Sequence, residues 1–567
     1  MIVLIAFIVE APLRYIFPPE DLKTTSQTGN RPYAGPMAGG PTTEEPVART
    51  GRARGRRVAL IAGLAGSAAT TGGLAVLHTL RSSVPFLPLS LAQSLVRAAP
   101  GGFATFFIER LGHWALRLAV VGTFAGFLAA GAVVGLLTPA MARVLRSLAM
   151  TVGALSFVPF WFVSIALYPS GPDAPTRGWI ALATLPVYLL GGMVAGRAYE
   201  RLTAAAPHQA TDLSRRYLLR ALWFGALALL VGVADLGRLL HRRPDPGAQV
   251  LRLAQLRPET TPPAAAGDDA FRSIRGLSPS VTPNQLFYVV DEEIIDPDLD
   301  PATWRLAVGG LVERPFQLTY DGLTSMPAVE RYQTLECISN PINKSLISNA
   351  RWEGVPLPAV LERAGPRAGA AEVVFECAGG YSESLSIDQA MAEDTLLAIG
   401  MNGHVLPRAH GFPVRLLCTG TYGMKNPKWL TSIEVVDRPY RGYWEQRGWS
   451  KQAIVKTWSR IDVPAWGADV MGTAVIAGIA FAGDRSVRGV EVSTDGGSTW
   501  RMAHLETALS PLTWRRWLYR WQVEGSGDSG VLVRATDGLG VAQTAAVARP
   551  HPDGASGYDA VTVNRGS

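Results

Sequence analysis

A chain of 567 residues is too long for a single hydrophobic core, so several domains are expected. Its apolar share of 48% is high for a soluble protein, and its formal charge of +7 gathers in arginine clusters at the borders of apolar runs. That placement excludes nucleic-acid binding as the reason for the basic balance. Three irregularly spaced cysteines, Cys337, Cys377 and Cys418, exclude a disulfide framework and a Cys-based zinc finger, although one pair stays open to bridging in an exported domain.

Residues 1–56 read as a disordered basic cytoplasmic tail. Its opening run 2–9 is too short to cross a bilayer, and Met37 offers a later start. Residues 57–241 read as a transmembrane helical domain with about five spans, at 58–80, 114–137, 148–168, 179–196 and 217–240, the fourth being the shortest. Gly and Ala abound in them, as close helix packing in lipid requires. Arg52, Arg54, Arg56 and Arg57 precede the first span, and Arg143, Arg146 and the 197–220 loop outweigh the loop 169–177 in arginine. Five crossings from a cytoplasmic N-terminus place everything after 240 outside, with Arg242 and Arg243 counting against this. His78, His113 and His241 fall at outer helix ends in that arrangement. A haem or quinone site is one reading of them; interfacial residues with wet polar tips is the expectation, because none lies deep in a helix.

Residues 242–279, with TTPPAAAGDDA at their centre, read as a spacer over the membrane surface. From 280 to 460, strand-like runs at 303–312, 371–379 and 413–420 alternate with turns and with a helical pattern at 356–365, which predicts an α+β domain. From 461 to 567, evenly spaced short strands predict an Ig-like β-sandwich, with Asp495-Gly496 turning a hairpin.

Two segments carry chemistry. In YQTLECISN (332–340), Cys337 leaves a strand-like run for a polar loop, where a thiol is a nucleophile, a ligand for a soft metal, or an inert half-buried side chain. In HGFPVRLLCTGTYGMKNPKW (410–429), His410, Arg415, Lys425 and Lys428 surround Gly420 and Gly423, a composition that suits a phosphate or an ordinary solvated basic loop.

TLEC-x-SN, HGFPVR and YGMKNPKW, with TPNQLFYVVD before them and RGVEVSTDGGSTW…VRATDG after, resemble the sulfite oxidase family of molybdenum-cofactor oxidoreductases from about residue 280 onward. The resemblance implies a sulfite-oxidase-like Mo-molybdopterin domain in which Cys337 is the sole protein ligand to molybdenum. His410, Arg415, Asn426 and Lys428 would hold the pterin and its phosphate, Phe287 and Tyr288 would line the cleft, and Tyr443 would be a catalytic tyrosine. It implies a C-terminal dimerisation domain, hence a homodimer, and a quinone or cytochrome electron partner. This sequence departs from the family where Asn340 is followed by Pro341 and Ile342 instead of arginine, with Lys344 the first cation. VVDEE (289–293) stands where an arginine and a histidine are expected. Lost cationic donors weaken oxyanion binding by roughly 1.5–3 kcal/mol each. The substrate is therefore open between a small oxyanion such as sulfite, the family default, and an S-oxide or N-oxide; a non-catalytic membrane protein with a degenerate domain is the rival from another class. A domain folded around its cofactor before export also gives SRRYLLR (214–220) a meaning, because it resembles a twin-arginine export signal ahead of the last apolar run. The expected location is the bacterial cell membrane, multi-pass, with the C-terminal half periplasmic or extracellular.

Overall fold

In the computed structural model the described residues are 45–566, less 82–83, several positions between 101 and 113, 138–148, 168–176, 206, 235–244, 252, 254–255, 259–268 and 294–295. Most of the tail, Arg143, Arg146, His113, His241, Arg242 and Arg243 lie outside the described residues.

Among the described residues three helices are long and apolar enough to cross a membrane, Arg54–Leu80, Arg117–Gly135 and Gly178–Ala204, and they coincide with three of the expected spans. The expected span at 148–168 is two helices, Ala149–Ser156 and Val158–Ala166, which meet at Phe157. Pro159 brings no N–H to the ladder there, so the break has a covalent cause. The last expected span starts inside Pro207–Ala234, whose first turns carry the exposed Arg215, Arg216 and Arg220, and its apolar half runs toward 235–240, beyond the described residues. A further helix, Leu87–Ala98, was not expected: at 12 residues it is too short to span, and it is amphipathic. His78 spends its ring on the Val84 carbonyl, 2.6 Å away, which closes the turn between this helix and the first span.

Glycines let the long helices touch backbone to backbone. A Cβ on Gly192 would lie 2.3 Å from the Gly153 carbonyl oxygen, and one on Gly63 would lie 2.4 Å from that of Gly131. Such approaches are open only to residues without a side chain.

Past the helices, two sheets share one core. The first has strands Leu256–Pro258, Ala328–Glu336, Ile347–Pro356, Leu396–Met401 and Arg415–Leu417 in that spatial order. The second runs Phe316–Thr319, Arg305–Gly310, Leu430–Val436, Glu372–Cys377 and Ser382–Ser386. Leu306, Val308, Phe375, Leu397, Leu416 and Ile433 come from both sheets and are fully or almost fully buried between them, with Leu357–Ala364 closing the layer. Arg305–Gly310 alternates buried and more exposed residues and so turns one face inward, whereas Leu396–Met401 is buried along its whole length.

The described parts of the stretch read as a spacer are anchored to the domains beyond it, three of the anchors being these. Leu256–Pro258 pairs in parallel with Ala328–Glu330, Val405 N donates to Gln249 O at 2.9 Å, and Phe271 is buried against Ala477 and Leu518. Apolar residues inside a Pro- and Ala-rich run were enough to recruit it to neighbouring cores. The C-terminal region is a β domain of two sheets around Ile476, Trp517, Val490 and Val533, with Gly496 at φ 72° in the hairpin turn after Val487–Ser493.

Gly192→Val is expected to lower the melting temperature of the detergent-solubilised protein, since overpacking costs about 1–3 kcal/mol. Gly72→Ala, whose Cβ would meet nothing within 4 Å, is expected to leave it unchanged; differential scanning fluorimetry compares the two.

Candidate functional site

Strand Ala328–Glu336 delivers Cys337 to a loop that Asn340 folds. The Asn340 amide donates to Glu336 Oε1 at 3.0 Å and accepts from Leu346 N at 3.0 Å, while its own backbone N–H donates to Cys337 O at 2.9 Å. The asparagine of TLEC-x-SN is thus the strut that fixes the thiol. Cys337 is half-buried with Sγ 3.0 Å from Ser339 Oγ, and it faces a cavity of about 80 Å³. Burial pushes its thiol up, and the carboxyls of Glu336 and Glu292 push the same way. A nucleophilic cysteine needs the opposite shift. A metal cation would reverse it outright, so the environment suits a ligand.

The HGFPVR and KNPKW segments form the other side. Arg415 is buried; it donates to the main-chain carbonyls of His410 at 3.2 Å and Asn426 at 3.0 Å and lies 5.2 Å over the Trp352 ring. Burial lowers its pKa to about 10, which leaves it charged at neutral pH, and its Nε has no hydrogen-bond partner among the described residues. His410 is held near 4 by burial, so a neutral ring reaches Asn284 O at 2.9 Å. Lys428 is paired with Asp291, donates to Ala409 O at 3.0 Å and stacks 4.3 Å from the Trp429 ring. Burial lowers the pKa of its ammonium to about 7. Phe287 and Tyr288 stack at 5.5 Å and line the cavity, with Phe287 edge-on to His410.

Three residues differ from their sequence roles. Asn426 spends its side chain on the loop itself, accepting from Cys418 N at 2.8 Å and donating to Tyr422 O at 3.0 Å, so it shapes the cradle with its backbone. Lys425 turns away and bridges Glu383 Oε1 at 2.8 Å and Glu445 Oε1 at 2.5 Å, because two buried carboxylates need a cation more than the cradle does. Tyr443, read as catalytic, is absent from the lining of the thiol cavity. Its ring is pinned 3.5 Å under Arg447 and packs on Tyr381 and Trp444, and Tyr381 takes the wall position, donating to Met424 O at 2.7 Å.

The residues that sequence reasoning missed are acidic and aromatic. Glu292 lines the cavity and accepts from Trp444 Nε1 at 2.7 Å. Burial lifts its pKa to about 7, the Trp444 hydrogen bond and Arg447 opposing and Glu293 adding to the rise. Trp449 also lines the cavity, buried, and its indole N–H has no partner among the described residues. The signal was present in VVDEE, read only as a loss of cations.

A thiol ligand facing a buried guanidinium whose Nε is unsatisfied defines a site for a metal carried by an anionic organic cofactor. The donor set fits: the orphaned Nε asks for an acceptor, and Gly423, whose Cβ would meet Tyr288 Oη at 2.6 Å, keeps the floor of the cradle open.

Residues 293–444 match the oxidoreductase molybdopterin binding domain and residues 450–549 the Mo-co oxidoreductase dimerisation domain. Mitochondrial sulfite oxidase of Mus musculus is 32% identical over 306 residues, 45% of this chain and 56% of that protein, so the match spans little more than half of that relative. The uncharacterized oxidoreductase YuiH of Bacillus subtilis (strain 168) is 32% identical over 150 residues, 26% of this chain and 74% of that protein. Among solved structures, the sulfane dehydrogenase SoxCD of Paracoccus pantotrophus aligns over 50% of this chain and 81% of its own, with 22% identity and a TM-score of 0.44. The chain belongs to the sulfite oxidase family of molybdopterin oxidoreductases, and the cofactor this membership implies is the molybdenum cofactor.

Between pH 4.5 and about 7 the folded chain keeps a proton on Glu292 that the unfolded chain has released, so stability falls as pH rises through that window. Glu292→Gln removes this slope. The variant and the parent are expected to melt alike near pH 4, with the variant higher at pH 8 by the equivalent of at most about 3 kcal/mol; paired thermal melts across pH check it.

Proposed function

We propose that this chain is a membrane-anchored molybdenum-cofactor oxidoreductase that moves an oxygen atom from a small neutral S-oxide or N-oxide, with its catalytic half on the outer face of a bacterial membrane. The observation that carries the choice of substrate is the acid wall. Val289, Val290 and the Glu292 carboxyl line the thiol cavity where an oxyanion pocket would need further cations, Lys344 is exposed at the surface, and Arg415 and Lys428 are taken up by the pterin phosphate in this reading. A neutral oxide needs a neutral donor and a proton source, and the Trp449 N–H and the Glu292 carboxyl supply both kinds.

In this reading Cys337 is the metal ligand, and Arg415 and Lys428 hold the pterin phosphate. His410 and Asn426 fix the loop that presents them, and Phe287 and Tyr288 form the wall. When bound, the cofactor supplies oxygen-atom transfer coupled to two electrons. Five crossings, the last of them following Arg215 and Arg216 as an export signal and anchor, would leave the domains from about 280 outside. The C-terminal β domain, of Ig type, would join two copies, which the description of the matched dimerisation domain favours. The sulfite-oxidising alternative rests on the likeness to sulfite oxidases.

Purified full-length protein loaded with molybdenum is expected to reduce S-oxides or N-oxides with a reduced dye. Sulfite oxidation should be weaker by roughly tenfold to a hundredfold per missing cationic donor. Cys337→Ser should retain the metal through the pterin and lose turnover, whereas Arg415→Met should lower the molybdenum content itself. Efficient sulfite oxidation with no oxide reduction would return the family default.

A further inference from the structure

A second cavity, of about 1120 Å³, lies between the helices and the cofactor-binding half. Leu95, Phe107, Leu118, Phe127, Phe160 and Val163 supply its apolar side. Its other end is the VVDEE segment with Trp444. Val289, Val290, Glu292 and Trp444 line both this cavity and the one above Cys337, so a single layer of side chains separates them. Gln93, on the unexpected helix Leu87–Ala98, donates to the Glu292 carbonyl at 2.7 Å and ties that wall to the membrane half.

We propose that this cavity binds a membrane quinone or quinol, which exchanges electrons with the cofactor site across the Glu292–Trp444 wall. The volume exceeds the roughly 300–1,000 Å³ of ordinary small-ligand sites, as a ring with an isoprenoid tail requires. Leu118 and Val163 are exposed on the flanks of their helices, so the apolar end opens sideways where bilayer lipid would lie. The polar end holds Glu292, Asp291 and Ser94 within a lining that is otherwise largely apolar, with Arg117 also contributing. A lipid acyl chain has no use for a carboxyl group beside a redox site, and a protein carrier has no use for an apolar compartment that opens toward lipid. A quinol uses both.

The exchange balances with the oxygen-atom transfer proposed above, on which its direction rests. The quinol loses two electrons and two protons to become the quinone. The S- or N-oxide takes two electrons and two protons, its bond to oxygen breaks, and the oxygen leaves as water. Glu292 stands where a proton leaving the quinol side can be accepted.

The test uses the full-length holoprotein in lipid nanodiscs. Equilibrium binding of a decyl-tailed benzoquinone and a decyl-tailed naphthoquinone is measured against protein-free discs. One of them should bind saturably at about one per chain. Gly126 lines the cavity, and an added Cβ would meet nothing within 4 Å, so Gly126→Phe fills the space without a clash at the backbone. That variant should weaken binding at least tenfold, with its molybdenum content and melting temperature reporting an intact fold. Gly72→Leu, on a helix face with open space and outside the cavity, should bind as the parent does. Binding equal to empty discs, saturable binding that Gly126→Phe leaves unchanged, or a phospholipid that quinone fails to displace from the cavity would each overturn the proposal. Saturable binding alongside a lack of oxide reduction with dyes would instead overturn the substrate assigned above and leave the quinone site standing.

Discussion

Arg415 is a buried guanidinium to which, among the described residues, no carboxylate is hydrogen-bonded. Its contacts are two main-chain carbonyls, a tryptophan face and an unsatisfied Nε. A charge in that position costs several kcal/mol unless an anion joins it. The surrounding backbone turns toward meeting that demand: His410 and Asn426 lend carbonyls, Gly411 takes φ 114° so that the chain can double back, and Gly423 leaves room at the floor. The nearby acids are arranged so as not to cancel the charge. Asp291 is engaged by Lys428 and Glu292 by Trp444, while Glu383 and Glu445 are engaged by Lys425. The cradle stays positive because these four carboxyls are engaged elsewhere.

Much of the site was legible because its members are close in sequence. TLEC-x-SN is a self-contained loop whose thiol is fixed by its own asparagine, and residues 410–428 deliver His410, Arg415 and Lys428 from one continuous excursion. What could not be read depends on partners far apart along the chain. Lys425 sits among the cradle residues but answers to Glu383, 42 positions earlier. Glu292 gains its position from Trp444, 152 positions away, and from Gln93, 199 positions away. Tyr443 has the right residue type at nearly the right place, and one stacked arginine is enough to pin it outside the thiol cavity.

The fold was legible to a similar degree and for the same kind of reason. Strand-like runs at 303–312, 371–379 and 413–420 and the run before Cys337 marked four of the strands in the two shared-core sheets, and long apolar runs marked three of the long helices. A 12-residue amphipathic helix between two spans carries too little hydrophobic length to register as membrane and too little charge to register as a surface helix. The edge strand Leu256–Pro258 is shorter than any periodicity can reveal, and only its pairing with Ala328–Glu330 makes it a strand.

One of the two departures from the family pattern, VVDEE at 289–293, answers to a physical requirement of its position. Val289, Val290 and Glu292 face the thiol cavity on one side and the apolar cavity on the other. Cations in that wall would favour an oxyanion on the first side, but they would put an uncompensated charge against the apolar lining of the second, where desolvation is most costly. A carboxyl with a pKa near 7 can stand neutral between the two and still handle a proton, and two valines complete a wall thin enough to couple the sides. On this argument the cations missing from 289–293 and the presence of the apolar cavity beside the long helices have one cause: a wall shared with an apolar cavity cannot also be a cationic pocket.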